Sequence, residues 1–250
     1  MFDNMNNFLI FQPLEQFEII LLLNLNILYL TNFLIYLIIV YIIIRFLFGF
    51  ILFNLRIIPY NWQIVTEQIY NFVFDLVKQQ INTSGYAYFP IIFTLFLFIL
   101  ISNMVGMFLY SFTLTSHVTV AFTLSFSFFI SIILIGILIQ KKEFINTFIP
   151  SGAPKILKPF LIGIEIISYF SRPFSLGIRL FANLMAGHTL LAILANFTFL
   201  ISKKNIIISL LPFFLIVAIV GLEAMIAILQ AYVFTVLICI YLNDSIKGSH

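Results

Sequence analysis

Six ionisable side chains lie in or at the end of the two long apolar stretches that close this 250-residue chain. Glu165, Arg172, Arg179 and His188 fall in the first, and Glu223 and Asp244 in the second, with Gln230 as a polar companion. If these stretches cross a membrane, each such group costs at least about 2.5–3.5 kcal/mol to insert, so each demands a reason. Carboxylates and an imidazole can accept and release protons near neutral pH. Arg179 cannot, because a guanidinium keeps its proton at any physiological pH, and it suits a fixed electrostatic barrier and counter-ion instead. The chemistry suggested is proton conduction through two partial paths with a cation between them.

If the two stretches form an antiparallel hairpin that turns near Lys204, the polar residues fall at matched depths. Glu165 is then level with Asp244, Arg179 with Gln230, and His188 with Glu223. At 100° per residue, Arg179 lies about 40° from Glu165 and Gln230 about 20° from Glu223, whereas His188 lies about 180° from Arg179. The His188/Glu223 group therefore opens toward a different face from the arginine. The bland alternative is that these residues pair as interhelical glue. Arg172, beside Pro173, reads as a side chain that snorkels to the interface. His117 reads as a solvated loop residue, with a place in a channel as the alternative, and His250 as a terminal residue without a role.

The elements that must hold these groups are helices in lipid. Hydrophobic residues make up 63% of the chain and charged ones 8%, far from the roughly 25% charged composition of soluble domains. Apolar runs of 20 or more residues exclude barrel strands, so the expected fold class is an all-α integral membrane protein. Ile19 to Ile44 reads as the first span, ending at Arg45. Asn61 is a candidate N-cap for an interfacial amphipathic helix over 61–81. Its apolar stripe would be Trp62, Val65, Ile69, Phe72 and Leu76, with Glu67, Asn71, Asp75 and Lys78 opposite. Phe89 to Tyr110 and Val118 to Gln140 form a transmembrane hairpin within 85–140.

Lys141 to Pro159 is a charged linker loop broken by Pro150, Gly152 and Pro154. Beyond it, residues 160–250 hold the two long stretches, Phe160 to Ile201 and Ile206 to Leu242. Each is roughly 55–60 Å as a straight helix, nearly twice a membrane core. They must break into two spans each or tilt strongly. Five crossings put Arg45, Arg56, Lys78, Lys141, Lys142, Lys155, Lys158 and Lys247 on one side and Lys203 and Lys204 on the other, as the positive-inside rule requires. The amino terminus lacks the basic region of a secretory signal and the Arg/Ser-rich look of a transit peptide. Cys239 is the one cysteine, which excludes an intrachain disulfide and a cysteine metal cluster. The net charge of +3 sits mostly in loops and indicates no nucleic-acid face.

The segment from Ser171 to His188, SRPFSLGIRLFANLMAGH, resembles the signature of subunit a of F-type ATP synthases, centred on an essential arginine that corresponds to Arg179. The stretch from Gly221 to Asp244 is similar to the last helix of the same family in its mitochondrial form. Weaker resemblance runs through Ser102 to Gly106 and Ser111 to His117, whereas residues 1–60 match only in hydropathy. The resemblance implies a long tilted helical hairpin against a rotating c-ring, whose carboxylate passes Arg179 at each step. It implies that His188 and Glu223 line an inlet half-channel from the intermembrane space and that Glu165 and Asp244 line an outlet to the matrix, with Asn183 and Gln230 flanking Arg179. It further implies the mitochondrial inner membrane, partners among the other membrane and peripheral-stalk subunits, protons as the transported ion, and no cofactor or metal.

The chain has no phosphate-cradling Gly-rich loop and would make no ATP by itself. A secondary ion transporter or channel subunit is the alternative; it predicts an inverted repeat, which the sequence does not display. A haem-carrying subunit would need paired deep histidines, and only His188 lies deep in a stretch. A pure scaffold would tolerate neutral replacement of Arg179.

Overall fold

The computed structural model describes residues 17–25, 28–53, 59–107, 112–141 and 158–247. Most of the linker between Lys141 and Lys158, Arg56, the first sixteen residues and His250 lie outside the described residues. Six α-helices and one β-hairpin make up these residues. They are β1 (Leu21–Leu25), β2 (Leu28–Thr31), α1 (Asn32–Phe53), α2 (Asn61–Ile81), α3 (Phe89–Gly106), α4 (Val118–Gln140), α5 (Lys158–Ser202) and α6 (Ile206–Lys247). Short 3₁₀ segments join α2 to α3 and precede α4. Five of the helices, α1, α3, α4, α5 and α6, are long and apolar enough to cross a membrane.

The first span starts later than the apolar run suggests. Ile19 to Thr31 is largely taken up by the β1–β2 hairpin, with Leu23 paired to Leu30 and Leu25 to Leu28. Thr31 then caps α1 by accepting the Leu34 N–H at 3.4 Å. The Asn32 carboxamide accepts from Phe33 and Ile20 and donates to the Glu18 carbonyl, tying the hairpin to the helix. Arg45 consequently lies within α1, on an exposed face, and not at its end.

Helix α2 spans the expected residues but buries a different stripe. Gln63, Thr66, Val73, Val77 and Ile81 face the bundle, while Trp62, Val65 and Phe72 stay exposed. The buried stripe is one residue on from the expected one, a rotation of about 100°. The reason is tertiary: Val73, Val77 and Ile81 join the main core with Leu97, Ile238 and Leu242. Periodicity alone ranks a stripe by apolarity, and here the larger aromatic stripe is the one left outside.

Helix α3 is the most enclosed span, with Ile92, Leu95, Phe96, Leu97 and Ile99 buried. It ends at Gly106 and not at Tyr110, because the chain turns back: a Cβ on Gly106 would stand 2.6 Å from Thr113 Cγ2. Helix α4 has the expected bounds. Helices α5 and α6 run unbroken for 45 and 42 residues, through Pro173 and Pro212, so breakage does not answer their excess length. They turn at Lys203-Lys204-Asn205 and form an antiparallel pair. At Gly177 the missing side chain lets α4 approach α5, with Ser125 Oγ 3.0 Å from where a Cβ would sit.

Candidate functional site

The site is built along the α5–α6 hairpin, and its register follows from two stripes of polar residues spaced by seven or fourteen. Glu165, Arg172 and Arg179 lie along α5, and Glu223, Gln230 and Asp244 along α6. A seven-residue step rotates only about 20° on a helix, so each set keeps one face. Hydrocarbon lipid supplies no hydrophobic force between helices, so packing and interhelical hydrogen bonds fix the register.

Two of the three expected depth pairs meet. The Gln230 side-chain amide donates to the main-chain carbonyl of Arg179 at 2.7 Å, so its contact is with the backbone and not with the guanidinium. Gln230 is buried, whereas Arg179 and Asn183, one turn on, are exposed. The guanidinium has no hydrogen-bond or ion-pair partner among the described residues. His188 and Glu223 meet with Nε2 3.5 Å from Oε1 and both side chains almost fully buried. That gap exceeds a direct hydrogen bond, and a shift of about half an ångström closes it to proton-transfer distance. Neither atom has a hydrogen-bond partner among the described residues.

Glycine 187 makes this meeting possible. A Cβ there would stand 2.7 Å from Glu223 Oε1 and 3.1 Å from its carboxyl carbon, so the carboxylate rests where only a glycine leaves room. The Phe17 ring stands edge-on to His188, with centroids 6.3 Å apart, which brings the amino-terminal segment to this pair. The hydropathy of the amino-terminal segment gave no sign of that contact.

The third pair does not form as expected. Asp244 pairs with Arg172, at 3.8 Å, and not with Glu165. Arg172 also lies over the rings of Tyr169 and Tyr241, 5.2 and 4.8 Å from their centroids, so it is held within the hairpin and does not simply snorkel away. Charge explains the choice: two adjacent carboxylates repel, while an arginine one heptad along the same stripe attracts. Glu165 is half-buried, two turns before Arg172. Gln140 donates to the Ser245 carbonyl at 2.7 Å and anchors the end of α6 beside Asp244, a contact that nothing in the sequence pattern marks.

His117 sits just before α4 as a half-buried residue, against Phe112 at 4.8 Å and edge-on to Phe33 at 6.3 Å. It is not a solvated loop side chain, and burial pushes its pKa below the usual imidazole range.

A sequence model of the ATP synthase A chain family matches residues 33–243. The chain belongs to that family. Curated relatives cover nearly the whole chain. The ATP synthase subunit a of Acanthamoeba castellanii is 49% identical over 247 residues, 97% of this chain and 100% of the relative. Those of Chondrus crispus and Marchantia polymorpha are 45% and 44% identical, over 95% and 94% of this chain and 97% and 98% of their own lengths. The matched span takes in Glu165, Arg172, Arg179, Asn183, His188, Glu223 and Gln230, while Asp244 lies one residue beyond it; it begins at residue 33, so the likeness within residues 1–60 goes beyond the hydropathy expected there.

Proposed function

We propose that this chain is the stationary proton-conducting subunit of a mitochondrial ATP synthase, with two offset half-channels and Arg179 facing a rotating c-ring. The observation that carries the reading is the opposed placement of its charges. Arg179 is exposed, open to a ring carboxylate, while the His188–Glu223 pair is buried and Asp244 with Arg172 lies toward the far end of the hairpin.

In this reading a proton passes from His188 and Glu223 to the ring carboxylate. It leaves past Glu165 and Asp244 after the ring has turned. Arg179, always charged, blocks a direct leak between the two paths and draws each deprotonated ring carboxylate forward. Asn183 flanks it on the same face, and Gln230 holds its backbone. Each proton moving down 100 mV releases about 2.3 kcal/mol, so several must be harvested through rotation for each ATP made elsewhere in the complex. The exposed stripe of Trp62, Val65 and Phe72 is the side of α2 assigned to the lipid interface. The other membrane and peripheral-stalk subunits would cover further apolar faces.

The test places a cysteine at Asn183 (Asn183→Cys) and another beside the c-subunit carboxylate, after Cys239→Ala. An oxidative a–c adduct is expected. Its absence across positions 179 to 186 would return an ion transporter or channel subunit to first place. Arg179→Gln should assemble but lose coupled proton flow, and normal ATP synthesis in that variant would refute the assigned role.

A further inference from the structure

We propose that Asn103 and Thr115 form a clasp that positions the functional face of α6, so that Asn103 acts on proton uptake through Glu223 without touching the proton path. Asn103 is fully buried near the end of α3. Its Nδ2 donates to the Ala227 carbonyl at 3.2 Å, and its Oδ1 accepts from Thr115 Oγ1 at 2.9 Å. Thr115 and Ala227 are themselves at zero exposure. Next to Thr115, the Thr113 and Ser116 hydroxyls bond to each other, and Ser116 Oγ donates to the Thr113 carbonyl at 2.7 Å, which stiffens the turn. One carboxamide thus joins α3, the turn before α4 and the middle of α6.

The position of Ala227 gives the clasp its consequence. It lies one turn after Glu223 and three residues before Gln230, which are two of the α6 side chains that reach α5. The Ala227 carbonyl already accepts a bond within its helix, so the added donor from Asn103 fixes this stretch against sliding or rolling. A one-residue slip would rotate Glu223 about 100° and move it about 1.5 Å. Proton transfer needs donor and acceptor within about 3.2 Å, and His188 and Glu223 already stand at 3.5 Å. The pair therefore has little tolerance for movement of α6.

The clasp rests on the proposed role of Glu223 in proton uptake, and the experiment separates the two. Membranes carrying the whole complex are stripped of the catalytic head, and passive proton conductance is driven by a potassium diffusion potential. Conductance is normalised to the amount of assembled subunit. Asn103→Leu, similar in volume but unable to hydrogen-bond, should lower conductance about tenfold. Thr115→Val should lower it in the same direction, Thr115→Ser should restore it, and Asn103→Leu with Thr115→Val should be no worse than Asn103→Leu. If Asn103→Leu does not assemble, Thr115→Val against Thr115→Ser gives the same reading with Asn103 in place.

The deciding measurement repeats Asn103→Leu in a Glu223→Asp background, where a shorter carboxylate has already left its seat. The expected further loss is less than about twofold, the non-additivity of residues that act through one another. A full further tenfold loss would show that Asn103 braces the bundle at large and would overturn the clasp while leaving the role of Glu223 intact. Unchanged conductance in Glu223→Asp alone, with Asn103 native, would remove the role of Glu223 and the clasp with it.

Discussion

Gly187→Ala sets local helix stability against proton flow. A Cβ at this position would lie 2.7 Å from Glu223 Oε1 and 3.1 Å from the carboxyl carbon, where ordinary contact begins near 3.4 Å. The carboxylate must therefore retreat by about 0.7 Å, since it is the movable end of a side chain and the α5 backbone is not. Added to the present 3.5 Å separation from His188 Nε2, that retreat puts direct proton transfer out of reach. A misplacement of about 1 Å costs on the order of a hundredfold in a proximity-dependent step, so a tenfold or greater loss of proton conductance is expected. Alanine is also the better helix former by roughly 1 kcal/mol, so assembly should not suffer. Gly221→Ala is the matched control, because a Cβ there meets nothing within 4 Å and should leave conductance unchanged. The assay is passive proton conductance of head-stripped membranes, normalised to assembled complex. Equal conductance in Gly187→Ala, Gly221→Ala and the parent would refute the reasoning that the seat of Glu223 governs uptake.

Arg172→Leu should slow ATP synthesis in energised membrane vesicles by less than about fivefold, because its partner Asp244 is half exposed and the pair is correspondingly weak. A loss as complete as that expected for Arg179→Gln would mean that Arg172 and not Arg179 is the barrier. For His117, burial lowers the pKa from 6.5, so below about pH 6.5 the unfolded chain binds more protons than the folded one and stability falls as the pH drops. The purified complex should lose more thermal stability between pH 7.5 and 5.5 with His117 than with His117→Asn, and an equal loss in both would contradict its burial.

Much of the architecture was legible because a membrane leaves few choices. Backbone groups in hydrocarbon must bond internally, so long apolar runs had to be helices, and α4 has the bounds its composition predicts. The rare charges inside those runs marked the α5–α6 hairpin, and simple numbering paired Arg179 with Gln230 and His188 with Glu223. The first span was misplaced because the overall apolarity of a run does not show where a helix begins within it: β1 and β2 pair inside the run, and the Thr31 cap opens α1.

Contacts between distant segments were decided only by the fold. The exchange of Glu165 for Arg172 as the partner of Asp244 depends on which of several residues on one stripe comes within reach, a matter of side-chain length and charge at a particular helix separation. The buried face of α2 depends on what α3 and α6 offer it, since an amphipathic helix with aromatic residues on one stripe and branched ones on the next can pack on either. What Asn103, Gln140 and Gly187 do is not visible along the chain, because their roles consist of a bond to a carbonyl 124 residues away, a bond 105 residues away, and the absence of an atom. The sequence by itself determined which segments enter the membrane and which charges they carry there. Only the tertiary structure decided which groups touch, because side-chain reach and helix register become definite only when the neighbouring helices are in place.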